Sequence, residues 1–592
     1  MLLHRLVEYA GRDEAAAPFH RERQFGWRLD LRLDGQPETD TLQPLVEVDA
    51  KGRARGVVHA VPTMVRTAGV AANLAADDAQ YVLGWADEDS KPERVAQCHA
   101  AFVDLTHRWA DSDEGGADPV ARAVSAFYRS GAATALQRPE DCTAKSGVLI
   151  AVGGVPAYRA ASVPAFWATE VARRKGSLAG HGLCLICGQV GPLLDTLPGR
   201  VPSRLVPGAT NDTALVSVNE RVFGYDLTTQ LAASPVCMSC GEAVTAGLVR
   251  ALDSEHSSTY GGQDSRLAWW TTEEASFDAM TILQQPSAAE VTALLEAVHR
   301  GRPAGGQRPD PTKFCSLTVG GNVARIMVRD WLEMPLDQVK TNIAAWFADH
   351  EIVSTRPDGP THHGLGRFAL VCGRLVRARD GGRYAEFGAK GADRPDGVHR
   401  DLVRAALRRT PLPPSLLAHL VHRVRTDGRL DDARAALLRL ILTRHPLTTE
   451  KPMPGLDPSN TTPAYVAGRA FAVLEQIQYD ASGQRNATYG DRFFAGAISN
   501  PRAALVTGQR DAIAWLRKLR RTKPPAAVRH QKALDELFGL LDPTGDVPAR
   551  TTLHEQSLFL LGYHHQRAHR FASIRAAHAT PTDDVDAVEE TA

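Results

Sequence analysis

Two short segments carry the most specific chemistry in the chain: Cys184-Leu185-Ile186-Cys187-Gly188 and Cys237-Met238-Ser239-Cys240-Gly241, with 49 residues between the pairs. A two-residue spacer lets both thiolates of a pair meet one ion, and four thiolates complete a tetrahedral shell around zinc. A shell closed by protein leaves no position for water or substrate, so the ion implied is structural Zn2+ and not catalytic. The trailing glycines fit, because a residue without Cβ tolerates the turn that aims backbone N–H groups at sulfur. The competing reading is two unrelated or redox-active pairs. A redox C-x-x-C occurs once, at a strand-to-helix junction, and the repetition here favours one shared ion. Cys98, Cys142, Cys315 and Cys372 are isolated and read as buried apolar side chains.

A second kind of chemistry is local positive charge. Lys51, Arg53 and Arg55 sit in a glycine-containing turn, and Arg66-Thr67 opens a stretch of small and polar residues running to Asn73. Such a stretch lets backbone approach a duplex closely. Arg517, Lys518, Arg520, Arg521 and Lys523 place five cations in seven residues beside Trp515. Phosphate binding needs clustered charge of this kind; a solvated helix face is the alternative reading. His362-His363 and His565/His569 read as loop and helix-end contacts, since no carboxylate stands at a zincin offset. Asp77-Asp78 and Asp431-Asp432 read as solvated faces. Nothing assembles a two-metal site, and there is no phosphate loop, dinucleotide fingerprint or nucleophile elbow. These features together lower the case for an enzyme.

The elements that must position these residues follow from pattern. At 592 residues the chain exceeds one core, so at least two domains are expected. Basic and acidic residues balance at 68 each, so a polyanionic partner must meet a local patch. The opening Leu2 to Tyr9 reads as a short amphipathic helix rather than a signal peptide. No run of about 18 apolar residues suggests a membrane span, and the expected location is the cytoplasm. Phe25, Trp27, Leu29, Leu31 and Leu33 alternate with polar residues as a strand, Asp34-Gly35 turns, and Leu45 to Val48 returns. Gly147 to Val152 suits a buried strand and Pro119 to Arg129 a helix. Residues 313–331 read as a hairpin around Gly320-Gly321-Asn322, followed by a helix burying Leu336, Val339, Ile343 and Phe347. From about 396 strand patterns vanish; Val466, Ala470, Val473 and Ile477 keep a helical period, with Arg469 facing elsewhere. The predicted class is α+β: a mixed domain over 1–376 with a zinc-knuckle module at 180–245, a linker at 377–395, and an all-α bundle at 396–578. Residues 579–592, with Asp583, Asp584, Asp586, Glu589 and Glu590, read as a disordered acidic tail.

Several segments in order resemble the large subunit of the type I-C CRISPR surveillance complex, Cascade (the Csd-type family). They are Val65-Arg66-Thr67-Ala68-Gly69-Val70 with Asn73 and Tyr81-Val82-Leu83-Gly84, Gly208 to Asn219, and Gly320 to Trp331. The second half adds Asn460 to Tyr465 with Gly468-Arg469, Asn486-Ala487-Thr488 with Asp491-Arg492-Phe493, and Glu555 to Arg567. Each is modest alone; collinear from about residue 60 to 570, they are specific.

The resemblance implies a non-catalytic subunit of a crRNA-guided ribonucleoprotein in antiviral defence. Its first domain would contact the crRNA end, the backbone subunits and the crRNA-end-binding subunit, and would read the protospacer-adjacent motif on duplex DNA. Asn73, with Arg66 and Thr67 nearby, is the expected reader, since an amide pairs with groove-edge donors and acceptors; capping a helix is its alternative role. Lys51, Arg53 and Arg55 would add phosphate contacts. The bundle would hold the opened and displaced strands through Arg492, Arg517, Lys518, Arg520, Arg521 and Lys523, and the assembly would recruit a helicase–nuclease. The family also makes a small subunit from an internal start, for which Met453, the last methionine, is the candidate. Two rival readings are a zinc-containing nucleic-acid-processing enzyme and a zinc-stapled protein scaffold that binds no nucleic acid.

Overall fold

The computed structural model describes residues 2–12, 19–48, 54–64, 69–175, 180–218, 220–223, 227, 231, 234–300, 312–376, 382–446, 448, 450–483, 487–541 and 547–579. Lys51, Arg53, Arg66, Thr67 and the acidic segment 580–592 lie outside them. The chain divides into two compact units. One comprises Met1–Thr259, Asp264–Thr272 and Ser316–Leu332; the other comprises Tyr260–Gln263, Glu273–Cys315 and Glu333–Ala592.

In the first unit, Trp27–Leu31 pairs in parallel with Gly147–Val152, Leu29 opposite Ile150 and Leu31 opposite Val152. Gln43–Pro44 and Ala76–Asp78 flank this pair. Every residue from Val148 to Val152 is buried, as a parallel strand covered on both faces requires. The helix Pro119–Arg129 packs on the two central strands. Its start is fixed by Pro119 and by the Asp118 carboxylate, which accepts from Val120 N–H at 2.9 Å. The helix Pro92–Ala110 buries Val95, Cys98, Phe102, Leu105 and Trp109 along one stripe. The alternation expected to run on to Leu33 stops at Leu31, and Leu33 is exposed. The chain has already entered its turn at Gly35, where φ is +82° and an added Cβ would sit 2.7 Å from the Ala123 carbonyl oxygen.

The β-segment Lys313–Pro335 folds back on itself. Lys313 Nζ lies 3.0 Å from Glu333 and Leu336 N–H donates to Thr312 at 3.0 Å, so the two ends meet. The reversal includes Val323, whose φ is +55°. Close packing explains the glycines beside it: a Cβ on Gly320 would press on Asp264 and Arg329, and one on Gly321 on Ala209.

The second unit is helical beyond its first strands, and among the described residues the last strand is Arg383–Tyr384. Leu336, Val339, Ile343 and Phe347 are buried on the helix Leu336–His350, as their spacing predicts. Val466, Ala470, Val473 and Ile477 are likewise buried on Pro463–Ser482. Arg469 departs from the sequence reading: it too is buried, with Nε donating to Gln566 at 3.1 Å. From residue 382 the stretch read as a linker is packed chain, with Arg394 donating to the carbonyls of Ala369 and Ala385 at 2.9 and 2.7 Å. The fold is thus α+β, with a helical region from Val398 onward.

Candidate metal centre and nucleic-acid interface

The antiparallel pair His181–Leu183 and Val190–Pro192 presents Cys184 and Cys187 in its turn. Gly188 closes that turn at φ +71°, and its N–H donates to Cys184 carbonyl at 2.9 Å. Cys237 is the residue before the helix Met238–Asp253, which carries Cys240 in its first turn. Leu185 N–H donates to Pro235 at 3.0 Å and Leu194 N–H to Val236 at 2.9 Å, which stitches the second pair to the first. All four sulfurs consequently lie within 4.8 Å of one another, and Cys187 and Cys237 Sγ are 3.8 Å apart. Thiolates bound at about 2.3 Å to a tetrahedral zinc stand about 3.8 Å apart, so the set fits the ion. None of the eight cysteines is in a disulfide.

Electrostatics prepare one sulfur for an ion. Burial alone would raise the Cys184 thiol, but amide N–H groups of Cys187, Cys237 and Ile186 outweigh it and hold the group down at about 6. Cys240 is pushed up by burial and by its neighbouring sulfurs. The two trailing glycines serve different ends. Gly188 supplies the left-handed turn, whereas Gly241 is helical and makes room for Leu194, whose side chain an added Cβ would overlap. The 238–253 helix is anchored by Glu242, which takes a bidentate pair from Arg21 at 2.6 and 2.8 Å and the Phe19 N–H at 3.1 Å. Gly247 lets Leu6 of the amino-terminal helix approach its backbone.

The basic run sits at the end of Pro501–Thr522, whose start is capped by Asn500. Leu505, Ala512, Leu516 and Leu519 are buried, and Arg517, Lys518, Arg520, Arg521 and Lys523 are all exposed. Trp515 meets Tyr489 edge-on at 5.9 Å, and Tyr489 packs on Phe493 at 5.1 Å. Arg492, exposed, lies over Phe493 on that neighbouring helix.

A family model described as CRISPR-associated protein (Cas_Csd1) matches residues 3–571. The chain belongs to that family. The match covers nearly the whole chain and bears out the resemblance read from the ordered segments. No curated protein matches the chain.

Other expected positions in this Csd1-family chain fall differently. Asn73 is buried, its side-chain oxygen accepting from Met64 N–H at 3.0 Å and its own N–H donating to Asp77 at 2.8 Å. Arg55 is exposed and stands opposite Glu47; Lys51, Arg53, Arg66 and Thr67 are outside the described residues. Asp77, read as solvated, is fully buried and faces Arg23. Asp432 is buried among Ser354, Thr355 and His564, while Asp431 caps its helix through Arg434 N–H. His565 is buried against Tyr465 at 3.0 Å while His569 is exposed. Among the described residues, the four cysteines are the only group of three or more potential ligands placed to share an ion. No described helix is long and apolar enough to cross a membrane.

Proposed function

We propose that this chain is the non-catalytic large subunit of a type I-C Cascade complex. It contacts the crRNA end and neighbouring subunits, reads the protospacer-adjacent motif on duplex DNA, holds opened strands, and supports recruitment of a helicase–nuclease. The family match over residues 3–571 carries this reading. Base pairing to a guide reads most of a target, which leaves protein to recognise a short motif and support the displaced strand. The exposed cations on the 501–522 helix and Arg492, beside Phe493 and Trp515, suit single-stranded nucleic acid, where phosphates meet charge and bases meet rings. The four cysteines hold structural zinc that staples the 181–192 hairpin to the 238–253 helix. Met453, exposed ahead of the Pro463–Ser482 helix, starts the separate small subunit.

Tagged full-length protein, purified from a host carrying the neighbouring genes and a CRISPR array, should bring down one discrete crRNA, several subunits and a product beginning at Met453. Recovery of the chain alone would reject the assembly. Removal of the ribosome-binding site ahead of codon 453 should abolish the small product; its persistence would reject that start.

A further inference from the structure

The basic end of the 501–522 helix borders a groove of about 230 Å3, walled by Ile513, Leu516 and Arg520 and, from the Pro524–Leu541 helix, by Leu534, Asp535 and Phe538. Ile513 is 62% exposed, and Val506, two turns earlier on the same side, is 61% exposed. An apolar stripe therefore runs uncovered into a cluster of cations. Among the described residues, none of Arg517, Lys518, Arg520, Arg521 and Lys523 forms an ion pair.

Segment 580–592 is the chemical complement of this surface. It carries Asp583, Asp584, Asp586, Glu589 and Glu590, no basic residue, and Val585 and Val588 between the acids. The Leu553–Ala579 helix that leads into it shares a partner with the 524–541 helix: Arg570 and His530 both reach the Asp480 carboxylate of Pro463–Ser482, at 3.5 and 2.7 Å. His530 is the seventh residue of the 524–541 helix. Beyond Arg570, the rest of its helix spans ~13 Å, and 13 extended residues reach up to ~43 Å. That exceeds the ~33 Å length of a 22-residue helix such as 501–522.

We propose that segment 580–592 docks in this groove, its carboxylates on the cations of the 501–522 helix and its valines against Ile513 and Phe538. It occupies the surface assigned above to the opened strand and competes with nucleic acid for it. That consequence rests on the strand-binding reading; the docking itself does not. Tethering gives the segment a high effective concentration without a tight intrinsic contact, and a longer polyanion that releases more counterions displaces it. The device would suppress adventitious binding to cellular nucleic acid until a correctly opened target is held beside it.

Two measurements on the intact chain separate docking from its consequence. Carbodiimide coupling, which joins an ammonium to a carboxylate with loss of water, should link Lys518 or Lys523 to an acid within 583–590, independently of protein concentration. Absence of that link overturns the docking, and a concentration-dependent link assigns the groove to a neighbouring copy and overturns it equally. Affinity for a fluorescent oligothymidylate is the second readout. The variant D583N/D584N/D586N/E589Q/E590Q should bind about tenfold more tightly at low salt, with the gain vanishing as salt rises. R517Q/R520Q/R521Q should bind weakly and erase the gain. If the tail variant binds like the parent while the patch variant binds weakly, the competition is wrong and strand binding stands. If the patch variant binds like the parent, strand binding at this helix is wrong, and coupling alone decides the docking.

Discussion

At the residue scale, the cysteines show what a sequence conveys well. Four ligands of one type, in two pairs of fixed local spacing, point to a metal site before any fold is known, because the wrapping of C-x-x-C around an ion is itself local. Why each glycine follows its pair was legible only half-way: Gly188 obeys backbone conformation, whereas Gly241 answers to Leu194, brought in by tertiary packing. Cys187 is the exposed member of the set, and its removal disturbs packing least. Purified parent protein should hold one zinc per chain. Cys187→Ser should lose most of it by elemental analysis and melt earlier, since the ion's binding free energy is folding free energy; full zinc retention would reject the four-sulfur site. Asn73 offers a sharper discrimination. Its oxygen satisfies a buried Met64 N–H, so Asn73→Ala should destabilise the DNA-free protein by about 1–3 kcal/mol. A residue that only read a base would instead weaken DNA binding and leave the melt unchanged.

At the scale of elements, the spacing of apolar residues placed the helices 119–129, 336–350 and 463–482, but it did not show that 463–482 is buried on every side from Ala464 to Leu474. What it could not place were charged residues inside. Asp432 is held by Ser354 and His564, 78 and 132 positions away, and no local pattern announces such partners. Arg434 is fully buried, donating to the carbonyls of Val371, Arg429 and Gly373 and to Asp427 at 2.6 Å. Read locally, it is one more helix-surface arginine. The buried histidines of the same unit give it a pH dependence. Burial lowers His350 and His565 well below the usual imidazole value, and lowers His363 to about 4. The unfolded chain, titrating near 6.5, therefore binds these protons first. The stability from neutral burial is complete above pH 6.5 and drains as pH falls from 6.5 toward 4, by on the order of 3 kcal/mol for His363 alone. Asp432 is held below the ordinary carboxylate range by hydrogen bonds from His564, Ser354 and Thr355 that outweigh its burial, so its contribution fades only at more acid pH. Melting temperature should drop between pH 7 and 5, and His363→Asn should flatten the drop; a melt independent of pH across this window would contradict the burial.

At the scale of the whole molecule, charge balance makes binding a local matter. With 68 basic and 68 acidic residues, the far field neither steers nor holds a polyanion. Any affinity for a single strand must therefore come from patches, and its salt dependence counts the phosphates each patch neutralises. Each phosphate contact contributes about −0.7 to the slope of log K against log salt for single strands. Were all five exposed cations of 517–523 engaged, their contribution would be about −3.5. Replacing Arg517, Arg520 and Arg521 by Gln, in a chain whose segment 580–592 has been neutralised so that no intramolecular acid competes, should bring that contribution to about −1.4. The melt should stay unchanged, because all three side chains are exposed. An unaltered slope with weaker affinity would mean that these arginines act through the fold instead of through phosphate. The strand would then lie on another surface of the chain.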